Sequence, residues 1–161
     1  MVVPDAVDTL DREDLQRADL RVTASRLAVL AAVREGGHPT VEELAVSARA
    51  RLGTVSTQAV YNVLGALAAA GLVRRIDPPG GPARFESRVG DNHHHLICRV
   101  CGGVRDVECA VGQTPCLELP AVRGYVIDQA EVIFRGLCPT CGVSAGAAPG
   151  DRTQEESESK A

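Results

Sequence analysis

Between Thr23 and the pair Gly36-Gly37, the apolar residues Leu27, Leu30, Ala31 and Val33 recur at helical spacing. A capping residue, a periodic stripe and a glycine stop together predict an amphipathic helix. Upstream, the polar run 11–18 (DREDLQRA) predicts a short helix with Leu15 turned inward. His38-Pro39 interrupts the chain, and Thr40 with Glu43 in T-V-E-E forms a capping box that opens a third helix as far as about Ala50. Gly53 breaks it. A fourth helix, capped by Ser56 or Thr57, carries Val60, Val63, Leu64 and Leu67 on one face up to Ala70, and Gly71 suits the left-handed position that ends a helix.

The period then changes. LVRRI (72–76) reads as a strand, DPPGGP (77–82) is a turn that no helix contains, and residues 83–87 read as the returning strand. Helices followed by a two-stranded hairpin are the order of a winged helix-turn-helix, with 57–70 in the place of the recognition helix. Residues 95–100 and 104–107 predict two strands around Cys101-Gly102-Gly103; 111–117 fits neither period, while 125–129 and 131–137 alternate as strands do. The expected architecture is α+β. A winged-helix DNA-binding domain spans 1–88, a linker 89–92 and a small α/β domain 93–142. The tail 143–161 is too poor in large apolar residues to order.

Composition changes this picture little. The 161 residues suit one average domain or two small ones, and with aromatics at 2% and no Trp the core must be aliphatic. The net charge of −4 does not advertise nucleic-acid binding. It is unevenly placed: residues 1–90 hold eleven Arg against eleven acidic residues, and the remainder six basic against ten acidic. Net charge describes solubility and steering, so it neither supports nor excludes a local DNA-binding face. The start of the chain is acidic, and no run approaches the ~20 apolar residues of a membrane span. A soluble cytoplasmic protein is expected.

The candidate chemistry lies in the second half. All six cysteines follow residue 97, and four form the pairs Cys98-x-x-Cys101 and Cys138-x-x-Cys141. In a reducing compartment that distribution favours metal over disulfides, and four thiolates suit tetrahedral zinc. A redox-active CxxC is the alternative, but it needs one pair in a βαβ context. Cys109 and Cys116 fit as small apolar fillers, with a redox or ligand role left open. His93 and His95 alternate across His94, so on a strand they share a face. With His38, Glu86 and Asp106 they would make a mixed N/O set suited to Fe(II) or Mn(II). Taken singly, His38 reads as a turn residue, and Glu86 and Asp106 as solvated charges.

The run N-H-H-H-L-I-C-x-x-C-G followed by Asp106, the earlier G-H-P-T-x-E-E-L and Q-A-V-Y-N-V-L-x-x-L-x-x-x-G-L-V, and the late G-L-C-P-T-C-G together resemble the ferric uptake regulator (Fur) superfamily over residues 11–142. The resemblance implies a homodimeric transcriptional repressor and not an enzyme. Its winged helix would bind palindromic AT-rich double-stranded DNA operators, and its second domain would dimerise. It places structural Zn(II) on Cys98, Cys101, Cys138 and Cys141, and a regulatory Fe(II) or Mn(II) on His38, Glu86, His93, His95 and Asp106. Those five residues straddle the two domains, so an ion there would set the angle between them and the spacing of the dimer's recognition helices.

His38-Pro-Thr, Asp106, D-V-E-C-A-V-G-Q-T-P-C-L and V-I-D-Q-A-E-V resemble the peroxide-sensing branch, PerR and the actinobacterial CatR/FurA group. That implies Fe(II)-dependent oxidation of a ligand histidine, His38 or His93, followed by loss of the metal and derepression of catalase or peroxidase genes. Glu86 follows the iron-sensing pattern instead, and the His of a third metal site is missing from 126–132, which leaves His94 without its usual partners. Family DNA contacts fall on Tyr61 and Asn62, on Ser56, Thr57 and Gln58 at the helix start, and on Arg21. An iron- or zinc-responsive repressor of metal-uptake genes shares the fold and most of the ligands. A CxxC thiol oxidoreductase is the reading from another class.

Overall fold

The computed structural model describes residues 6–91, 93–108 and 132–144. Four helices come first: α1 (Ala6–Arg17), α2 (Ala24–Gly36), α3 (Val41–Leu52) and α4 (Thr57–Ala69). The N-caps of α2, α3 and α4 follow from side chains. Thr23 Oγ1 accepts from Arg26 N at 3.3 Å, and Ser56 Oγ accepts from Ala59 N at 3.1 Å, so Ser56 and not Thr57 caps α4. At α3 the capping box closes in both directions, with Glu43 N donating to Thr40 Oγ1 at 3.3 Å and Thr40 N donating to Glu43 Oε2 at 2.7 Å. Thr40→Ala is expected to cost about 1 kcal/mol, read as a lower urea midpoint; an unmoved midpoint would mean that Glu43 alone holds this helix end.

The helices bury one aliphatic core. Leu15, Leu30, Leu44, Leu64 and Leu67 are fully enclosed, and Val73 and Phe85 extend the cluster into the hairpin. Leu15 faces inward as its position predicts, although α1 begins five residues before Asp11, the first residue of the expected helix. Asp11 is itself buried, and Arg34 of α2 pairs with it and with Asp14.

Strands β1 (Arg74–Ile76) and β2 (Arg84–Glu86) form the antiparallel hairpin, with Arg74 opposite Glu86. Both are shorter than their sequence predicts. Leu72 cannot pair because its N–H returns to Leu67 O at 2.9 Å to close α4, next to the left-handed Gly71 (φ 69°). The second sheet has the order β4-β3-β5, from β3 (His93–Cys98), β4 (Val104–Glu108) and β5 (Ile133–Gly136); β3 runs antiparallel to β4 and parallel to β5. A six-residue helix, α5 (Pro139–Ser144), carries Cys141, and Cys138 stands immediately before it.

The first strand of this sheet is displaced from the expected 95–100. The turn through Cys101 closes with Gly102 N on Cys98 O and Cys98 N on Gly103 O, both 2.9 Å, which removes Arg99 and Val100 from the strand and leaves His93 and His94 in it. A small cluster of Ile76, Ile97 and Val104 packs the hairpin against the second sheet. α5 extends to Ser144, two residues into the segment whose composition predicts disorder. The rest of that tail, the expected segments 111–117 and 125–129, Asn92 of the linker, and Cys109 and Cys116 lie outside the described residues. No described helix is long and apolar enough to cross a membrane.

Candidate metal centres and nucleic-acid interface

Four thiols converge where β3 turns toward β4 and β5 runs into α5. The sulfur atoms of Cys98, Cys101, Cys138 and Cys141 all lie within 4.8 Å of one another. Cys101 Sγ and Cys138 Sγ are 3.8 Å apart, and these four cysteines are free rather than bridged. A tetrahedron with ~2.3 Å zinc–sulfur bonds has edges of about 3.8 Å, so this donor set fits zinc in both spacing and chemistry. Backbone hydrogen bonds, foremost from Cys101 and then from Cys138 and Val100, pull the Cys98 thiol down to about 6. The other thiols, Cys138 first, push Cys141 up to about 12. Without a cation, four thiolates cannot all ionise this close together.

The second cluster is built from both halves of the chain. His38 follows the left-handed Gly37 (φ 69°) that ends α2, and Glu86 closes β2. His93 and His95 share a face of β3, and Asp106 stands opposite His95 in the β3–β4 register. Residues directly opposite in an antiparallel pair share a face. Glu86 Oε2 is the hub, at 3.2 Å from His38 Nε2, 3.2 Å from His93 Nε2 and 3.1 Å from His95 Nε2. Asp106 Oδ1 lies 2.8 Å from His38 Nε2 and 3.9 Å from Nε2 of His93 and of His95. Ligand atoms of His38, Glu86, His95 and Asp106 all fall within 4.8 Å of one another, and His93 flanks that set.

Glu86 is 2% exposed, so it is not a solvated carboxylate. Burial raises its pKa, but hydrogen bonds from His38 and His95 and the charge of Arg74 outweigh this and hold it well below the usual carboxylate range. The side chains of His93 and His95 are closed off, whereas that of Asp106 is 34% exposed. A cleft of about 550 Å³ lined by His38, Arg84 and Asp106 opens on that side. The cluster is thus sealed at one end and solvent-accessible at the other, an arrangement suited to an exchangeable ion. Nitrogen and oxygen donors suit Fe(II) or Mn(II) where the sulfur site suits zinc.

Sequence reasoning missed four residues that support this cluster. Asp91 Oδ1 lies 2.6 Å from His93 Nδ1, which places the proton on Nδ1 and turns the Nε2 lone pair toward the site. Arg88 holds Asp91 and forks onto Glu108 at 2.6 and 2.8 Å, bridging the linker to β4. Arg74 reaches in from β1: its Nε donates to Glu86 Oε1, and its Nη2 donates to His93 Nε2 at 2.9 Å. The pairing of Arg74 with Glu86 depends on hairpin register, which a glycine- and proline-rich tip leaves open in sequence. Arg84 ties the two centres together, donating to His38 O at 2.8 Å and to Gly102 O in the cysteine turn at 3.0 Å.

The other sequence-derived candidates lie on or near α4. Val60, Leu64 and Leu67 bury its inner face, which leaves Gln58, Tyr61 and Asn62 exposed on the outer one. Gln58 Nε2 donates to Asn62 Oδ1 at 3.1 Å, one turn apart, and Tyr61 is 46% exposed. At the helix start, Ser56 serves as the cap and Thr57 Oγ1 accepts from Arg49 Nη2 at 2.9 Å. Arg21 is exposed ahead of α2, and its carbonyl accepts from Arg26 Nη1 at 2.7 Å.

The family model described as the ferric uptake regulator family matches residues 17–134. The transcriptional regulator FurA of Mycobacterium tuberculosis (strain ATCC 25618 / H37Rv) is 56% identical over 132 residues, covering 82% of this chain and 90% of that protein. Among solved structures, the ferric uptake regulator from Pseudomonas aeruginosa with manganese superposes with a TM-score of 0.65 at 28% identity, over 81% of this chain and 98% of that one. The Vibrio cholerae ferric uptake regulator superposes with a TM-score of 0.64 at 29% identity, over 79% and 98%.

Proposed function

Since this chain belongs to the ferric uptake regulator family, whose members are transcriptional regulators and not enzymes, we propose that it is a cytoplasmic, homodimeric repressor. It binds operator DNA only with a regulatory Fe(II) or Mn(II) held by His38, Glu86, His93, His95 and Asp106. The observation that carries this reading is the convergence of three imidazole nitrogens on Glu86 Oε2, from elements on both sides of the linker. Filling that cluster fixes the hairpin and α2 against β3 and β4. The occupied site and the DNA-competent geometry then favour each other.

In this reading residues 1–88 bind DNA, 89–92 link and 93–142 hold the zinc and dimerise. Tyr61 and Asn62 read base edges from α4, Ser56, Thr57 and Gln58 hold phosphates at its start, and Arg21 reaches a minor groove. Zn(II) on Cys98, Cys101, Cys138 and Cys141 stays in place. Leu96 and Phe134, paired in the β3–β5 register, are exposed together on the sheet face away from His93 and His95, which supports burial of that face against a second copy.

The signal proposed is peroxide. Bound Fe(II) would supply the electrons that break the peroxide O–O bond, and His38 or His93 would take up the oxygen. The identity with an actinobacterial FurA supports this branch; Glu86 at the hub favours a second reading, plain iron- or zinc-responsive control of metal uptake. The test uses a palindromic AT-rich duplex selected by the Mn(II) form. Micromolar peroxide is expected to release the Fe(II) protein from it, leave the Mn(II) protein bound, and add one oxygen atom to His38 or His93 by peptide mass spectrometry. Retention of the Fe(II) form with both histidines unmodified would leave metal-uptake control as the function.

A further inference from the structure

The regulatory cluster already contains a cation. Three imidazole nitrogens face one carboxylate oxygen at hydrogen-bond distance, and His93 Nε2 and His95 Nε2 stand 3.2 Å apart. With its Nδ1 proton committed to Asp91, His93 presents a bare lone pair at Nε2. That lone pair, crowded against a buried carboxylate oxygen, needs positive charge or a donor beside it. Arg74 supplies both: its Nη2 lies 2.9 Å from His93 Nε2 and 3.4 Å from His95 Nε2, while its Nε holds Glu86 Oε1.

We infer that Arg74 is a built-in competitor of the regulatory ion: its guanidinium engages the His93 Nε2 lone pair in the metal-free chain and must withdraw before an ion can take it. This rests on the reading of His38, Glu86, His93, His95 and Asp106 as the exchangeable site.

Three observations support competition over a merely supporting salt bridge. The contact is with a ligand nitrogen itself, His93 Nε2, and not only with the outer oxygen of Glu86. The Arg74 side chain is 20% exposed, so it has a route out, unlike the fully enclosed His93 and His95. The neighbouring Arg75 is turned away onto Asp77 at 2.8 Å, so one basic side chain of β1 has been placed inward and the other has not. An ion and a guanidinium on the same lone pair repel, so Arg74 lowers metal affinity and eases exchange. It also keeps Glu86 and the two histidines assembled while no metal is bound. Because β1 begins five residues after α4 ends at Ala69, withdrawal of Arg74 acts next to the proposed recognition helix.

The test is Mn(II) titration of the zinc-loaded full chain by calorimetry, for wild type, Arg74→Gln, Arg74→Lys and His95→Ala. Arg74→Gln is expected to bind Mn(II) at least about tenfold more tightly than wild type. It should also melt at a lower temperature than wild type without Mn(II) and at the same temperature when saturated. Unchanged or weaker Mn(II) binding by a folded Arg74→Gln, with wild-type binding still dependent on His95, overturns the inference alone and makes Arg74 a positioning residue for Glu86. Wild-type affinity indifferent to His95→Ala overturns the site and the inference with it. If Arg74→Gln does not fold, Arg74→Lys decides by the same sign: tighter binding supports competition, and equal or weaker binding refutes it.

Discussion

Replacing His95 with alanine is expected to abolish the response of operator affinity to added Mn(II) or Fe(II), a loss of about 100-fold at saturating metal. The size follows from where the residue sits. His95 is fully buried, lies 3.1 Å from Glu86 Oε2 and 3.2 Å from His93 Nε2, and faces Asp106 across the β3–β4 pair. It therefore touches ligands from the hairpin and from the second sheet, and no neighbour can substitute for it. Fluorescence anisotropy with a selected duplex, with and without metal, measures the effect. Zinc content and helicity should stay at wild-type levels, since the thiol cluster and the core of α1–α4 are built from other residues. Metal-stimulated binding by His95→Ala equal to that of wild type would eliminate the proposed switch.

Removing the proposed zinc should have an even larger structural effect. Four-cysteine zinc sites contribute folding free energy directly, on the order of 10 kcal/mol in isolated zinc modules. Here zinc on the four thiols would join the β3–β4 turn to the segment entering α5, and so staple the parallel β3–β5 pair together. Cys98→Ser, or exhaustive chelation, is expected to lose the zinc and melt the second sheet. The aliphatic core of the first four helices stays folded because none of its members comes from that sheet. Far-UV circular dichroism should then show retained helix and lost strand, and sedimentation should show monomers. The affinity for zinc should fall as pH falls, since every ligand must be a thiolate and Cys141 starts with its pKa at about 12. A wild-type melting profile after stoichiometric zinc release would contradict the stapling role.

The two candidate metal centres were legible in sequence to different degrees. Both halves of the sulfur site are local: each CxxC carries two donors on one turn, and the only long-range fact needed was that the two turns meet. The mixed site is different. His93 and His95 announce themselves by alternation, but His38, Glu86 and Asp106 belong to a loop, a hairpin strand and another sheet. Resemblance to a family, and not their spacing, joined them in the sequence reading. Their convergence depends on the small Ile76–Ile97–Val104 contact and on Arg84 linking His38 O to Gly102 O.

Sequence by itself determined α2, α3 and α4, the caps of the first two and the glycine stops, because these depend on hydrogen bonds and apolar periods spanning three or four residues. Thr23, the Thr40–Glu43 box and Gly71 act where they stand. Tertiary structure alone decided strand lengths and hairpin register, and therefore which charge faces which. Arg74 meets Glu86 and the histidines only because β1 and β2 pair in one register, and a shift by one residue would turn Arg75 inward instead. The difference is one of range: local hydrogen bonds are encoded by neighbours, whereas the balance of charge inside a buried cluster is set by packing between elements that are distant in the chain.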